Sequence, residues 1–168
     1  QMYLDGALFW QEYNDMIEFV FTGDQKGFQA QNIGNTRIRG LEGSLRFQGK
    51  RGKHELEGQL GYTFIDPQYR EFTEEIRLRS SSDENILKYR SKHRINAQVR
   101  YTLKRFECGL SYSYAGHQEA IDAVFELFIP GVRNYRMQHD EGHSVLDGWL
   151  SYRFARWKMS VKINNLFN

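Results

Sequence analysis

An alternation of polar residues with increasingly apolar ones between positions 88 and 103 constrains this chain more than any other feature. From Arg90 to Arg100 every second residue is polar or charged, and the residues between become steadily apolar toward Leu103. Because successive side chains of a β-strand point to opposite faces, this segment predicts a strand with one cationic face and one apolar face. A soluble sheet tolerates such a strand, whereas a transmembrane barrel requires it, with lipid outside and a polar lumen inside.

The same period of two recurs along the chain and predicts an all-β protein with no convincing amphipathic helix. About seven strands are predicted, at roughly residues 2–21, 28–48, 54–66, 88–103, 106–119, 143–154 and 157–167. Consecutive strands should pair as neighbours in an antiparallel meander, which forms a partial segment of a large transmembrane β-barrel. The first two segments, the first with a candidate break at Asn14-Asp15, exceed the length that a bilayer needs, so we expect them to project beyond it.

The connections between these segments alternate in length. Tight turns are predicted at residues 49–53, 104–105 and 155–156, and long loops at roughly 67–88 and 120–142. Both prolines, Pro67 and Pro130, fall in the long loops. Short turns on one side and long loops on the other are typical of outer-membrane barrels. A soluble β-sandwich explains the alternation equally well but the loop asymmetry less well.

Composition excludes several other classes of protein. A net charge of +2 over 168 residues gives no bulk electrostatic drive toward nucleic acid. No run of 18 apolar residues exists, which excludes a helical membrane span. The single Cys108 excludes an intrachain disulfide framework, and its apolar parity indicates a small lipid-facing residue. The mean hydropathy of -0.68 resembles that of a soluble protein, but the lumen faces and loops of barrels are also polar.

No catalytic constellation is present in the sequence, so we expect neither an enzyme nor a cofactor. A Gly-rich phosphate loop, a paired-cysteine motif and a Gly-x-Ser-x-Gly elbow are all missing. The cluster at residues 139–143 contains His139 and His143, and we interpret it as the polar base of a loop rather than as a metal site.

Four stretches of the sequence carry motifs of a known family. Residues 32–43, NIGNTRIRGLEG, fit an N-x-G-x-x-x-x-x-G-x-E strand, and residues 160–168, SVKINNLFN, fit a late-barrel NNLFD/N signature. Residues 89–93 and 145–153 occupy matching positions between them. In order and spacing the whole chain resembles the C-terminal third of the barrel of TonB-dependent outer-membrane receptors. The opening residues 4–19 are similar to receptors of Bacteroidetes-type bacteria.

The resemblance implies a place, a function and partners. Residues 1–168 would be the C-terminal portion of a receptor barrel, with the plug domain and the final strand absent, because seven strands cannot close a barrel of about 22. The edges of the open sheet should lie at residues 2–21 and 157–167. The receptor would sit in the outer membrane of a Gram-negative bacterium and take up a scarce nutrient such as a ferric siderophore, haem or cobalamin. Expected partners are outer-membrane lipid, the TonB system through the plug, the small nutrient ligand and a surface lipoprotein. A passive porin or adhesin barrel and a soluble β-sandwich binding module remain alternatives.

Two sets of site residues follow from the parity and the loops. The set expected to face the lumen and the plug is Glu42, Arg46, Glu57, Arg90, Arg94, Arg100, Asp147, Arg153 and Lys162. Arg94 and Arg100 would lie at membrane depth, where a charge on the lipid face costs about 2–4 kcal/mol, so their inward placement is expected. The set expected to bind an anionic, ring-bearing ligand from extracellular loops is Tyr69, Arg70, Arg77, Arg79, Arg133, Tyr135 and Arg136.

Overall fold

The computed structural model describes residues 1–23 and 25–167, in which nine strands and three short helices are found. The strands are β1 (Met2–Tyr13), β2 (Ile17–Phe21), β3 (Phe28–Asn32), β4 (Thr36–Arg51), β5 (His54–Tyr69), β6 (His93–Leu103), β7 (Phe106–Ala115), β8 (His143–Phe154) and β9 (Trp157–Ile163). The helices are α1 (Glu74–Ser80), α2 (Ala123–Phe128) and α3 (Val132–Gln138). No helix in the described part of the chain is both long and apolar enough to cross a membrane.

Seven of these strands form one antiparallel sheet in the order β1-β4-β5-β6-β7-β8-β9. This confirms the predicted all-β antiparallel meander. Within the described residues no further strand pairs with the outer edges of β1 and β9, so the sheet is open at the predicted positions. The other two strands, β2 and β3, form a separate hairpin.

The first two predicted strands were wrong in their extent. The chain leaves β1 after Tyr13 and bends at Asp15, whose φ of 54° lies in the left-handed region. It then forms the β2–β3 hairpin and rejoins the sheet at Thr36, which pairs with Tyr13. Residues 14–35 are therefore a third long connection rather than the ends of two projecting strands.

The prediction that Pro67 lies in a loop was wrong, because Pro67 is near the end of strand β5. Pro67 pairs in register with Ile38 of β4, and its carbonyl oxygen accepts a hydrogen bond from Leu87 on the other side. In an antiparallel strand the N and O of one residue point the same way, so the missing N–H of Pro67 faces away from β4. Proline therefore costs no ladder hydrogen bond at this position.

The register sorts the side chains of the seven-stranded sheet onto two faces. Glu42, Thr63, Arg94 and Ala115 pair in sequence across four strands and so share one face, which we call the polar face. The opposite, apolar face carries leucine, valine and aromatic side chains, of which Leu8 is 86% exposed. Apart from the small β2–β3 hairpin at one end, no second sheet packs on either face in the described residues, which argues against the soluble sandwich.

The two ends of the sheet differ as the sequence predicted. On the end that we call the turn side, two-residue turns join β4 to β5, β6 to β7 and β8 to β9. Their first residues, Gly52, Lys104 and Ala155, have φ of 62°, 55° and 49°. On the other end, the loop side, stand the connections 14–35, 70–92 and 116–142. The short helices lie in the last two, where the sequence predicted no helix.

Aromatic rings cover glycines on neighbouring strands at three places in the sheet. Directly opposed pairs are Phe9 with Gly40, Phe47 with Gly58, and Trp149 with Gly109. A Cβ built on each glycine would fall within 2.4 Å of the facing ring. Each ring therefore occupies the space that any other residue would need for its side chain.

Candidate functional site

The loop-side cap, which we define as residues 14–35, 70–92 and 116–142, packs over the loop-side ends of β4 and β5 through the hydrophobic core of the chain. Val20, Ile33, Leu87 and Tyr69, the last residue of β5, are at most 2% exposed and form one cluster. The sheet itself is a single layer without such a core. The cap is thus the part of this chain that folds as a globular protein does, by burying apolar surface.

A buried group of charged and polar side chains lies in the cap. The ammonium of Lys88 donates a hydrogen bond to Oδ1 of Asp122 at 2.6 Å, and both side chains are 1% exposed. The hydroxyl of Tyr89 donates to Oδ2 of the same carboxylate at 2.6 Å. Glu18 places Oε2 at 3.9 Å from the Lys88 nitrogen. Asp122 is thereby satisfied on both oxygens, as a buried carboxylate must be.

This burial changes the titration of two of these groups. Loss of water around Glu18 raises the pKa of its carboxyl above the ordinary value, and the nearby charges of Lys88 and Arg90 only partly oppose that effect. Burial, followed by the hydrogen bond to Asp122, raises the pKa of Tyr89 to about 12. The phenol of Tyr89 therefore stays protonated near neutral pH and can donate its hydrogen bond to Asp122.

Four of the residues predicted to bind ligand are engaged in the cap itself. Tyr69 is 1% exposed and belongs to the cap core. Arg70 pairs with Glu12 at 3.4 Å. Arg77 pairs with Glu74 at 2.6 Å and with Asp83 at 2.8 Å, and Arg79 pairs with Glu75 at 2.6 Å. The hydrogen bonds of Arg77 also lower the pKa of Glu74. Tyr69 therefore offers little surface to a ligand, and the three arginines are each already paired with a carboxylate of the chain.

The remaining three lie on α3 and differ from one another. Arg136 is held inward, with Nε at 2.9 Å from Oε1 of Glu126 on α2 and Nη2 donating to the carbonyl of Gln118 at 2.7 Å. Arg133 is exposed and forms no ion pair with any described residue. Tyr135 is 63% exposed, and its ring stacks on His139 at 4.1 Å. Among the predicted residues, Arg133 and Tyr135 are therefore the ones that this structure leaves open to a ligand.

The polar face carries a chain of ion pairs near the turn side. Arg100 lies 3.4 Å from Glu57 and 3.9 Å from Glu107, and Lys158 of β9 reaches Glu107 at 3.4 Å. Asp147 pairs with Lys162 at 3.7 Å. These pairs are half exposed, and each contributes at most about 1 kcal/mol. They neutralise part of the charge on this face.

Other charges on the polar face have no ionic partner among the described residues. They are Asp5, Glu42, Arg46, Arg94 and Arg153, all exposed. Arg46 lines a concavity of about 680 Å³ together with Asp5, Glu57, Gln98 and Arg100. Arg90, predicted in the same set, precedes β6 and acts electrostatically on Glu18 in the cap. These unpaired side chains are the ones best able to form ion pairs with another protein segment or a ligand that lies against the polar face.

The apolar face is bordered at both ends by tyrosine–histidine pairs. His54 and Tyr101 are hydrogen-bonded at 2.6 Å on the turn side, and Tyr62 and His93 at 2.8 Å on the loop side. Eight residue steps separate His93 from Tyr101 in β6, which is about 26 Å along the strand. At the tilt of roughly 35–45° that strands take in outer-membrane barrels, this is about 20 Å of depth, somewhat less than their apolar band of about 25 Å. On the loop side of the Tyr62–His93 pair, this face carries charged residues. One of them is Arg37, whose guanidinium lies 5.1 Å from the centre of the Trp10 ring. Aromatic rings with polar tips at two levels are typical of membrane interfaces.

Comparison with known proteins identifies the family of this chain. A family model described as "TonB dependent receptor-like, beta-barrel" matches residues 1–166. The chain belongs to the TonB-dependent receptor family. Members of this family are β-barrel receptors of the Gram-negative outer membrane, and they transport ligands rather than catalyse reactions. The seven-stranded sheet is accordingly a part of a TonB-dependent receptor barrel.

A solved structure of similar fold is the ferric-catecholate import receptor Fiu of E. coli K12. The match covers 99% of this chain with a TM-score of 0.64 and a sequence identity of 20%. It covers 21% of the Fiu chain, so our TonB-dependent receptor chain spans about a fifth of that receptor. At this identity the likeness establishes the shared barrel architecture and says nothing about a shared ligand.

Proposed function

We propose that this chain is the C-terminal part of the barrel wall of a TonB-coupled uptake receptor in the outer membrane of a Gram-negative bacterium. The observation that carries the proposal is the single-layer sheet, with a bare apolar face on one side and charged side chains on the other. Lipid would cover the apolar face between its two tyrosine–histidine levels, because exposing that much apolar surface to water is unfavourable. The plug domain and the final strand of the barrel would lie outside residues 1–168.

The polar face would form part of the lumen wall. Paired charges such as Arg100 and Glu57 would stiffen the wall, whereas Glu42, Arg46 and Arg94 would contact the plug through hydrogen bonds and ion pairs. TonB would act on the plug, and this chain would not touch it directly. The similarity of residues 4–19 to Bacteroidetes-type receptors supports an origin in that group, and a surface lipoprotein is a further proposed partner.

We propose a scarce, anionic, ring-bearing nutrient as the ligand, with ferric siderophores ahead of haem and cobalamin. The support is the arm α2–α3, which exposes Arg133 on one side of α3 and the stacked rings of Tyr135 and His139 on another. Guanidinium groups pair with anionic oxygens, and aromatic rings stack on planar ligands. That a receptor of this fold is named for ferric catecholates is consistent with the choice.

Growth of a deletion strain on defined nutrients tests the function. Loss of growth on one iron source, restored by the intact gene but not in a strain lacking TonB, supports coupled uptake. Restoration without TonB would indicate a passive porin and contradict the proposal. Growth that is unchanged on every iron, haem and cobalamin source would remove the proposed ligand classes.

Binding by purified full-length receptor tests the arm. Arg133→Met should weaken binding of a ferric tris-catecholate complex at least about tenfold, since a charge-assisted hydrogen bond contributes roughly 1.5–3 kcal/mol. Arg79→Met is the matched control, because that arginine is already paired with Glu75 on α1. Equal affinity of both variants and the wild type would show that ligand does not contact Arg133.

A further inference from the structure

We propose that Lys88, Asp122 and Glu18 form a latch that makes the three loop-side connections open and close as one unit. The inference concerns the mechanics of the cap and stands apart from the identity of the ligand. In a receptor of this family it would fix the point from which the α2–α3 arm extends.

Each member of the latch comes from a different connection. Glu18 belongs to residues 14–35, Lys88 to residues 70–92 and Asp122 to residues 116–142. Lys88 and Asp122 are 34 residues apart in sequence, yet their charged atoms meet at 2.6 Å. Three connections that lie on separate parts of the sheet thus meet at one buried ammonium group.

Backbone hydrogen bonds beside the latch join the second and third connections. Tyr89 donates its N–H to the carbonyl of Ala120 at 2.9 Å, and Ala123 donates to the carbonyl of Ser81 at 3.1 Å. Asp122 is the residue before α2, where an aspartate usually accepts a hydrogen bond from the helix N–H groups. Here its side chain makes no such bond and instead holds Lys88 and Tyr89. The beginning of the arm is therefore set by the latch rather than by its own helix.

Burial makes the latch cooperative. Removing one partner of a buried ion pair leaves a charge without water or counter-charge, so local opening becomes far easier. Glu18 depends on the same ammonium group, which means that losing Lys88 should be felt in the β2–β3 hairpin as well. Loss of one partner from a solvent-exposed ion pair would not affect distant segments in this way, because water solvates the charge that remains.

The cap contains a natural control for this argument. Lys92 and Glu119 also join the second and third connections, with their charged atoms at 2.7 Å. Their side chains are 25% and 40% exposed, against 1% for Lys88 and Asp122. The two pairs thus have nearly the same geometry and span the same segments, but differ in burial.

Amide hydrogen exchange of the ligand-free full-length receptor in detergent, followed by mass spectrometry, tests the proposal. Lys88→Met and Asp122→Asn should each accelerate exchange at least about tenfold in residues 17–21, 86–91 and 120–128 together, and leave β5 to β8 unchanged. In the double variant, the factor by which exchange accelerates should be smaller than the product of the two single-variant factors. The reason is that the second change removes the charge that the first left unpaired. Lys92→Met should change exchange less than about threefold.

Three outcomes would overturn the latch. Acceleration confined to residues 116–142 in Asp122→Asn would mean that the connections open separately. An equal effect of Lys92→Met would mean that burial is irrelevant, and strictly multiplicative single effects would mean that Lys88 and Asp122 act independently. Should both charge variants fail to assemble, Tyr89→Phe removes only the hydroxyl bound to Asp122. It should accelerate the same three segments by a smaller factor, and an effect restricted to residues 86–91 would contradict the proposal.

Discussion

The ring of Trp149 over Gly109 leads to a prediction whose magnitude follows from the structure. A Cβ on residue 109 would lie 2.2 Å from Cζ2 of Trp149 and 2.6 Å from the carbonyl oxygen of Val99. The ring can rotate away, but the carbonyl belongs to the ladder of the neighbouring strand and cannot. Overpacking typically costs about 1–3 kcal/mol, and the immovable contact places Gly109→Ala at the upper end. A cost of about 3 kcal/mol corresponds to roughly a hundredfold change in the unfolding equilibrium constant.

Two other glycines of the same sheet serve as controls. At Gly58 a Cβ would meet only ring atoms of Phe47, the nearest at 2.3 Å, so rotation of that side chain can relieve the contact. At Gly43 nothing lies within 4 Å, and alanine there should be neutral or stabilise by about 0.5–1 kcal/mol. The expected order of stability is thus Gly43→Ala, then Gly58→Ala, then Gly109→Ala.

Denaturant titration of the full-length receptor, with the folded fraction measured by its altered migration in cold detergent gels, gives this order directly. Adding Phe47→Ala should rescue Gly58→Ala, because only the ring obstructs it. Adding Trp149→Ala should not rescue Gly109→Ala, because the Val99 carbonyl remains. Equal midpoints for Gly109→Ala and Gly43→Ala, or full rescue of Gly109→Ala by Trp149→Ala, would refute the packing argument.

Three further perturbations test the cap and the two faces of the sheet. Burial raises the pKa of Glu18, so the folded cap binds more protons than the unfolded one. The stability that this group contributes is therefore fully present below the ordinary carboxyl pKa and is lost as the pH rises through the raised pKa. Exchange protection of the cap, corrected for intrinsic rates, should show this fall in the wild type and lose it in Glu18→Gln. Val99→Arg, on the apolar face, should destabilise the receptor in lipid by about 2–4 kcal/mol, whereas Arg94→Val on the polar face should change denaturant midpoints little. Arg136→Met should speed proteolysis within residues 123–138, and unchanged cleavage would show that its three hydrogen bonds do not hold the arm.

Period-two patterning predicted the sheet well because its strands obey a local rule. In β6 the side chains alternate between the two faces along the sequence, and a shift by one residue would move the whole apolar set to the polar face. The tight turns were found for the same reason, since two residues are enough to define them. The turns at 104–105 and 155–156 agree with the prediction. The turn predicted at 49–53 is limited to residues 52–53, because β4 stays paired with β5 as far as Arg51.

The cap was not predicted, because its order comes from contacts between distant parts of the chain. Helices of six or seven residues, such as α1, are too short to be stable alone and leave a weak periodic signal. The sequence placed Lys88 at the boundary between a predicted loop and a predicted strand, and nothing near it in sequence indicates burial. Its burial depends on Asp122 and Glu18, which no local pattern connects to it. The same limit explains why Tyr69 and Arg136 were assigned to ligand binding although both hold the cap together.

The two-residue turns have a consequence for how such a wall changes in evolution. Each turn joins a pair of antiparallel strands, as between β6 and β7, and each pair ends where the next long connection begins. Inserting or deleting one pair returns the chain to the same end of the sheet and restores the alternation of faces for every later strand. Duplication of a hairpin would therefore enlarge the circumference of a barrel and add one connection on the loop side. Every other side chain would stay on the same face of the sheet. A single inserted strand would instead send the rest of the chain to the wrong side of the membrane.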